Sequence, residues 1–236
     1  MALSRMKTVA IHQPNFFPWL GYFKKIRRAD VFVFMDAVKF SKGSFTNRAR
    51  ILVSGTPLWM TCPIVRSHSS PIRDIRINYA TEWQKKIWKT IENNYRKTPY
   101  WDTYKDDVGQ MVFLKEDYLA EYNIKNIEYI AKDIMKVNTE FIRMSELGEF
   151  TSKKTDVLIE IIQRLRGELY LAGAGASAYH EESKFREQGV QLVPLSYTHP
   201  VYTQTNNTTG DFVPGLSVLD ALLNDGLKCM DASYAH

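Results

Sequence analysis

Residues Val9 to Asp36, reading VAIHQPNFFPWLGYFKKIRRADVFVFMD, constrain the fold more than any other stretch of the chain. A short apolar run stops at His12-Gln13-Pro14-Asn15. An aromatic turn follows, then a basic amphipathic helix, then a second apolar run that ends in an acid. Strand, loop, helix and strand make a βαβ unit, and such a crossover places its two strands in a parallel sheet. Ligands of open parallel sheets bind where strands end and helices begin. Here that position carries an imidazole, two carboxamides and a glycine, so the end of the first strand is the expected ligand site.

The rest of the chain keeps alternating between the two periodicities. Ala37 to Arg50 reads as a loop rich in Ser, Asn and Lys, with Gly43 as a turn residue. Ala49–Val53 and Leu58–Ile64 flank Ser54-Gly55-Thr56-Pro57, which predicts a hairpin. Ile72 to Ile77 alternates apolar and charged residues and predicts a half-exposed strand. From Thr81 to about Lys97, Trp83, Ile87, Ile91 and Tyr95 recur at spacing four, the stripe of an amphipathic helix. Residues 100–136 read as helical, with Leu119, Ile124, Ile127, Ile130 and Ile134 as core. Further strands are expected at Thr139–Met144, Glu168–Ala172 and Val190–Leu195. Helices are expected at Asp156–Arg166, closed by Gly167, at Glu181–Gln188, and at Val218–Asn224 behind Ser217 as N-cap. The pattern predicts an α/β fold: a single domain over 1–236 with a mostly parallel, Rossmann-like sheet and a mainly helical insert or flank at 80–137. Strand order is not legible from it.

Bulk properties narrow the setting. Two cysteines, Cys62 and Cys229, make no disulfide framework and suit a reducing compartment. No apolar run approaches the roughly 20 residues of a membrane span, and no signal-peptide pattern opens the chain, so a cytoplasmic protein is expected. The net charge of +5 is compatible with anionic ligands such as sugar nucleotides, carrier proteins or RNA, and selects none of them. The five histidines are dispersed and neither HExxH nor CxxC occurs, so neither a metal nor a cofactor is expected.

HQPNFFPWLGYFKKI followed by ADVFVFMDAVKFSKGSFTNRARI resembles the opening of the WbqC-like family. YLAGAGASAYH resembles its glycine-rich strand end and FVPGLSVLDALLNDG its closing block, so the resemblance spans nearly the whole chain. Members are typically encoded among enzymes of O-antigen and surface-polysaccharide synthesis, and N-acylation of amino sugars, including with glycine, is proposed for some. The resemblance therefore implies acyl or aminoacyl transfer onto the amine of a nucleotide-linked amino sugar. The donor would be a carrier-protein thioester or an aminoacyl-tRNA; no DNA and no membrane span are implied.

Candidate residues follow, each with a plainer alternative. His12, at a strand end, is the candidate general base; its alternative is a hydrogen bond to the loop backbone. Gln13 and Asn15 suit sugar hydroxyls or an acyl oxygen, or else rigidify the loop. Trp19 and Tyr22 suit stacking on a base or sugar, or core packing. Gly21 permits close ligand approach or close helix packing. Asp36, at the end of the second strand, is a candidate to orient His12 or to bind a ribose hydroxyl. Beyond it, Lys39, Asn47, Arg48 and Arg50 form a basic loop suited to a diphosphate, or simply a solvated face. Gly173, Gly175 and Ser177 form a small-residue strand end that lacks the third glycine of a dinucleotide fingerprint. His199 is a second candidate base, and Asp220 is placed to serve the dipole of the last helix. Lys85, Lys86 and Lys89, with Arg66, Arg73 and Arg76, mark a basic face suited to docking an anionic donor.

The leading expectation is thus an acyl or aminoacyl transferase with His12, Gln13 and Asp36 at its catalytic centre. A nucleotidyltransferase-like enzyme is the first alternative, weakened because Trp19 and Tyr22 stand where its HxGH signature carries histidines. A noncatalytic scaffold of a polysaccharide-assembly complex is the second.

Overall fold

A computed structural model of the chain describes residues 6–65, 70–173, 181–205, 207, 208 and 210–232. In chain order the elements begin with β1 (Thr8–His12), α1 (Leu20–Arg27), β2 (Val31–Phe34), β3 (Arg48–Val53) and β4 (Thr56–Thr61). The helices α2 (Trp83–Tyr95), α3 (Trp101–Phe113) and α4 (Leu119–Tyr129) come next. The chain continues with β5 (Glu140–Arg143), α5 (Thr155–Arg164), β6 (Leu169–Ala172), α6 (Glu182–Glu187), β7 (Gln191–Pro194), α7 (Val218–Asp225) and α8 (Lys228–Ala232).

Five strands form one sheet in the order β5-β2-β1-β6-β7, with every neighbouring pair parallel. Numbered along the chain, the sheet strands run third, second, first, fourth, fifth. The winding therefore reverses between β1 and β6, which is the switch point where open α/β sheets leave a crevice. Parallel strands covered on both sides are apolar throughout, and all four residues of β2, Val-Phe-Val-Phe, are buried. Successive side chains point to opposite faces. Ala10, Phe32, Phe34 and Leu171 face a core shared with α1, the β3–β4 hairpin, α2 to α4 and α7. Val9, Ile11, Val31, Val33 and Tyr170 face the core under α5 and α6. The two cores sandwich the sheet.

The periodic helix at α2 buries Trp83, Ile87, Ile91 and Tyr95, the four residues of its stripe. Two expected elements differ. The hairpin turn is only Ser54-Gly55, both with positive φ (48° and 79°), the two-residue type that matches strand twist, so Thr56 and Pro57 belong to β4. Ile72–Ile77 is not a strand. Ile72–Asp74 is a 3-10 turn, and Ile72 and Ile75, three apart, are both buried. A spacing of three is the repeat of a 3-10 turn, whereas a strand would put the two on opposite faces, and the segment bonds singly, Ile72 N to the Val38 carbonyl and Arg73 N to that of Asp36, both at 2.9 Å. At the end of α5 the left-handed residue is Arg166 (φ 52°), while Gly167 is needed for space: a Cβ there would lie 2.5 Å from Val9 Cγ2 on β1. Among the described residues no helix is long and apolar enough to cross a membrane.

Candidate functional site

The loop from Gln13 to Trp19 leaves β1 at the switch point and is held by partners from four directions. Asn123 Nδ2 on α4 donates to the carbonyls of Pro14 (2.9 Å) and Thr46 (2.7 Å). Phe16 N donates to the Phe45 carbonyl at 3.0 Å, and Val218 N, at the start of α7, donates to the Pro18 carbonyl at 2.7 Å. Tyr22 Oη donates to the Gln13 carbonyl at 2.9 Å. Phe17 is buried with φ at 38°, a left-handed backbone that a bulky residue adopts at a cost of about 1 to 2 kcal/mol. The loop is thus fixed in one strained path by long-range contacts, as preorganised sites are.

His12 ends β1 and is partly buried. Its ring meets Tyr22 edge-on at 4.8 Å and Trp19 at 5.9 Å. Nδ1 lies 3.1 Å from the Gln13 carbonyl oxygen. A carbonyl only accepts, so Nδ1 carries the proton and Nε2 holds the lone pair. Burial, with the nearby Lys25 ammonium adding to it, pushes the His12 imidazole down to about 3, so the ring is neutral at physiological pH.

Lys25 is the residue that sequence reasoning missed. It lies on α1 and is 3% exposed, and its Nζ donates to the Ile11 carbonyl at 2.7 Å. Nζ also lies 5.8 Å from the centre of the Tyr170 ring on β6, so the ammonium occupies the junction of β1 and β6. Burial pushes it down to about 7. A buried lysine that meets no carboxylate among the described residues destabilises the fold. A sequence signal existed: Lys25 falls three residues after Tyr22 and four after Gly21, inside the buried stripe of α1.

The other candidates divide. His12, Gln13, Trp19 and Tyr22 come together, and the Gln13 side-chain oxygen accepts from Thr46 Oγ1 at 3.4 Å. Asn15 is buried within the loop. Gly21 serves packing: a Cβ there would lie 2.8 Å from Trp19 Nε1 and 3.0 Å from the Tyr197 ring. Gly173 follows β6, and a Cβ there would meet nothing within 4 Å. Gly175 and Ser177 lie outside the described residues, as does Arg66. Asp36 and His12 share no hydrogen bond. Its buried carboxylate accepts from Ser145 N (3.0 Å) and Ser145 Oγ (2.5 Å), which ties the end of β2 to the turn after β5. Asn47 Nδ2 donates to the Cys62 carbonyl at 3.1 Å, and Lys39 is exposed.

Arg48 and Arg50 sit on the hairpin rather than beside His12. Their guanidinium carbons lie 4.2 and 5.7 Å from the Trp59 ring centre. A chain of rings joins them to the imidazole: Trp59 to Phe45 at 5.7 Å, Phe45 to Trp19 at 5.7 Å, and Trp19 to His12.

His199 belongs to the segment that follows β7 and covers the start of α1 through Tyr197, whose ring also lies 5.8 Å from Lys24 Nζ. Its Nδ1 lies 3.1 Å from the Pro200 carbonyl, and its buried Nε2 has no hydrogen-bond partner among the described residues. Burial pushes it down, against the opposing pull of that carbonyl and of Asp220. Asp220 anchors the segment rather than serving only the helix dipole. Fully buried, it accepts from Tyr95 Oη and Tyr202 Oη, each at 2.7 Å, and from Gln204 Nε2 at 3.2 Å. Burial raises its carboxyl, and those three donors oppose the rise. Burial also pushes the Cys62 thiol up, which disfavours a thiolate nucleophile there. Among the described residues no cluster of three or more His, Cys, Asp or Glu is placed to hold a metal.

Comparison with known proteins supplies one family. The WbqC-like protein family matches residues 13–232, the whole length from the loop after β1 to the last helix. An uncharacterized protein of Mycobacterium tuberculosis (strain ATCC 25618 / H37Rv), Rv1507c, is 29% identical over 235 residues, covering 96% of this chain and 97% of its own length. No solved structure matches the chain.

Proposed function

The chain belongs to the WbqC-like protein family, and from that membership we propose an acyl or aminoacyl transferase acting on the amino group of a nucleotide-linked amino sugar. The observation that carries the reading is the pair at the switch point: a neutral imidazole whose Nε2 holds a lone pair, beside a buried lysine held at about 7. In this reading the sugar amine attacks the donor carbonyl and becomes acidic as the C–N bond forms. His12 Nε2 takes the proton. The C–O or C–S bond to the carrier then breaks, and the proton passes to the leaving oxygen or sulfur.

His12 held at about 3 in the free protein is a weak base, so this reading requires a bound anionic substrate to raise it toward the working pH before it takes the amine's proton. Lys25 supplies positive charge in a dry setting, where it favours an oxyanion or a phosphate more than it would in water. In this reading the Gln13 side chain, next in sequence to His12, would bond a sugar hydroxyl or the acyl oxygen. Positioning, one proton acceptor and one cation suffice for amide formation from an activated donor.

The test is to incubate the protein with nucleoside-diphosphate-linked 3-amino and 4-amino sugars together with glycyl-tRNA or acyl-carrier thioesters, and to look by mass spectrometry for the amide. A second reading, nucleotidyl transfer, is favoured by the strand order and by the placement of His12 at the switch point. It predicts release of pyrophosphate from a nucleoside triphosphate and no acylated sugar.

A further inference from the structure

We propose that the exposed face of the β3–β4 hairpin and the lysine-lined groove beside it form a track for a single-stranded polynucleotide, the RNA end of the acyl donor. The identification of the strand as a donor rests on the transferase reading above; the binding itself does not.

The track begins with rings. Phe45 and Trp59 remain 42% and 40% exposed, and because the two rings adjoin they make a patch rather than a scattered apolar residue. They lie against each other, and the Arg48 guanidinium lies over Trp59. Register places the charges on the same face: Arg50 pairs with Trp59 and Arg48 with Thr61 across the hairpin. Each guanidinium is steadied by a loop carbonyl, Arg48 Nη2 by that of Gly43 and Arg50 Nη2 by that of Gly215 at 3.4 Å, while among the described residues their buried Nε atoms have no hydrogen-bond partner. Thr61 then forms the edge of a groove of about 690 Å³ whose other walls include Pro63, Trp83, Lys85, Lys86 and Lys89. Trp83 is 4% exposed and its Nε1, buried in that wall, has no hydrogen-bond partner among the described residues. The one acid lining the groove, Glu82, pairs with Lys85 and leaves Lys86 and Lys89 to set its charge.

Interleaved rings and cations distinguish a polynucleotide from an acidic protein. Bases stack on exposed rings whatever their sequence, contributing about 1 to 3 kcal/mol each, while the cations follow the phosphates. An acidic helix would use the lysines and leave Trp59 and Phe45 without a role. At the other end, the ring chain through Trp19 leads back to His12. A strand lying on the track would therefore point its terminus toward the switch point.

The experiment is a binding titration of the intact protein with fluorescent RNA and DNA 12-mers of one sequence and with polyglutamate, by anisotropy and by quenching of tryptophan fluorescence, across salt concentrations. The expected result is oligonucleotide binding with quenching. Trp59→Ala should weaken it at least tenfold and Trp59→Phe should restore most of it. The triple change Lys85→Glu, Lys86→Glu, Lys89→Glu should weaken it and flatten its salt dependence by about 2 in logarithmic slope. Tighter binding of RNA than DNA identifies the source. Absence of oligonucleotide binding, binding of polyglutamate as tightly as RNA, or equal binding by wild type, Trp59→Ala and Trp59→Phe would overturn the proposal. Acyl transfer with a carrier thioester in a protein that ignores RNA would leave the transferase reading standing and remove this one.

Discussion

Replacing Lys25 by Met should make this protein more stable below neutral pH and less able to act on its ligand. Met keeps the volume and removes the charge. A lysine that ordinarily titrates at 10.5 is held at about 7 here because burial disfavours its ammonium. At 1.36 kcal/mol for each pH unit, the buried ammonium costs the fold about 5 kcal/mol at pH 7 and below. The change also strands the Ile11 carbonyl that Nζ now bonds, a loss of about 1 to 3 kcal/mol. The difference leaves Lys25→Met more stable by about 2 to 4 kcal/mol at pH 6. For a chain of this length that raises Tm by roughly 5 to 10 °C.

The sign reverses with pH. Below 7 both folded and unfolded chains carry the proton and the cost is complete. Between 7 and 10.5 the unfolded chain binds a proton that the folded one does not, so wild-type stability from this group rises with pH. At pH 10 the charge costs little, and the stranded carbonyl should make Lys25→Met the less stable form. Thermal unfolding followed by circular dichroism, wild type against variant at pH 6 and pH 10, reads the difference with other groups cancelling. A variant destabilised equally at both pH values would refute the argument and show that Lys25 is a satisfied structural residue.

Two further outcomes follow from the site. His12→Ala should lower turnover about 10²-fold with an unchanged melting curve; activity and folding lost in parallel would return His12 to a packing role. Asp36→Ala should cost about 3 kcal/mol by stripping Ser145 of a charged acceptor, and should leave the pH profile of any activity unmoved; a shifted profile at unchanged stability would place Asp36 in catalysis after all.

The first βαβ unit was legible because each of its signals is local. Apolar runs, an interrupted run at His12 and a helical stripe need no partner to be read, and the structure puts β1, α1 and β2 there. What the sequence withheld depends on distant chain. The direction of the Asp36 side chain was set by Ser145, 109 residues away. Among the described residues the Ile72–Ile77 segment meets only isolated bridges, Arg76 to Tyr118 and Ile77 to Ile64, rather than a continuous ladder. Strand order, and with it the switch point that gives His12 and Lys25 their setting, lies in crossovers that leave no mark on local periodicity. Lys25 was hidden differently: in KKIRR one buried lysine looks like its solvated neighbours, and only its spacing from Tyr22 separates it.

The measurement that bears most directly on the end of β1 as the reactive centre is nuclear magnetic resonance of the His12 ring, titrated from pH 4 to 8 with and without a nucleoside-diphosphate-linked amino sugar. In the free protein the ring should stay neutral throughout, protonated on Nδ1 as its bond to the Gln13 carbonyl requires. Adding the sugar nucleotide should shift the Nε2 resonance, because that lone pair is where the amine arrives. A His12 that titrates near 6.5 and does not respond to the sugar nucleotide would contradict the account.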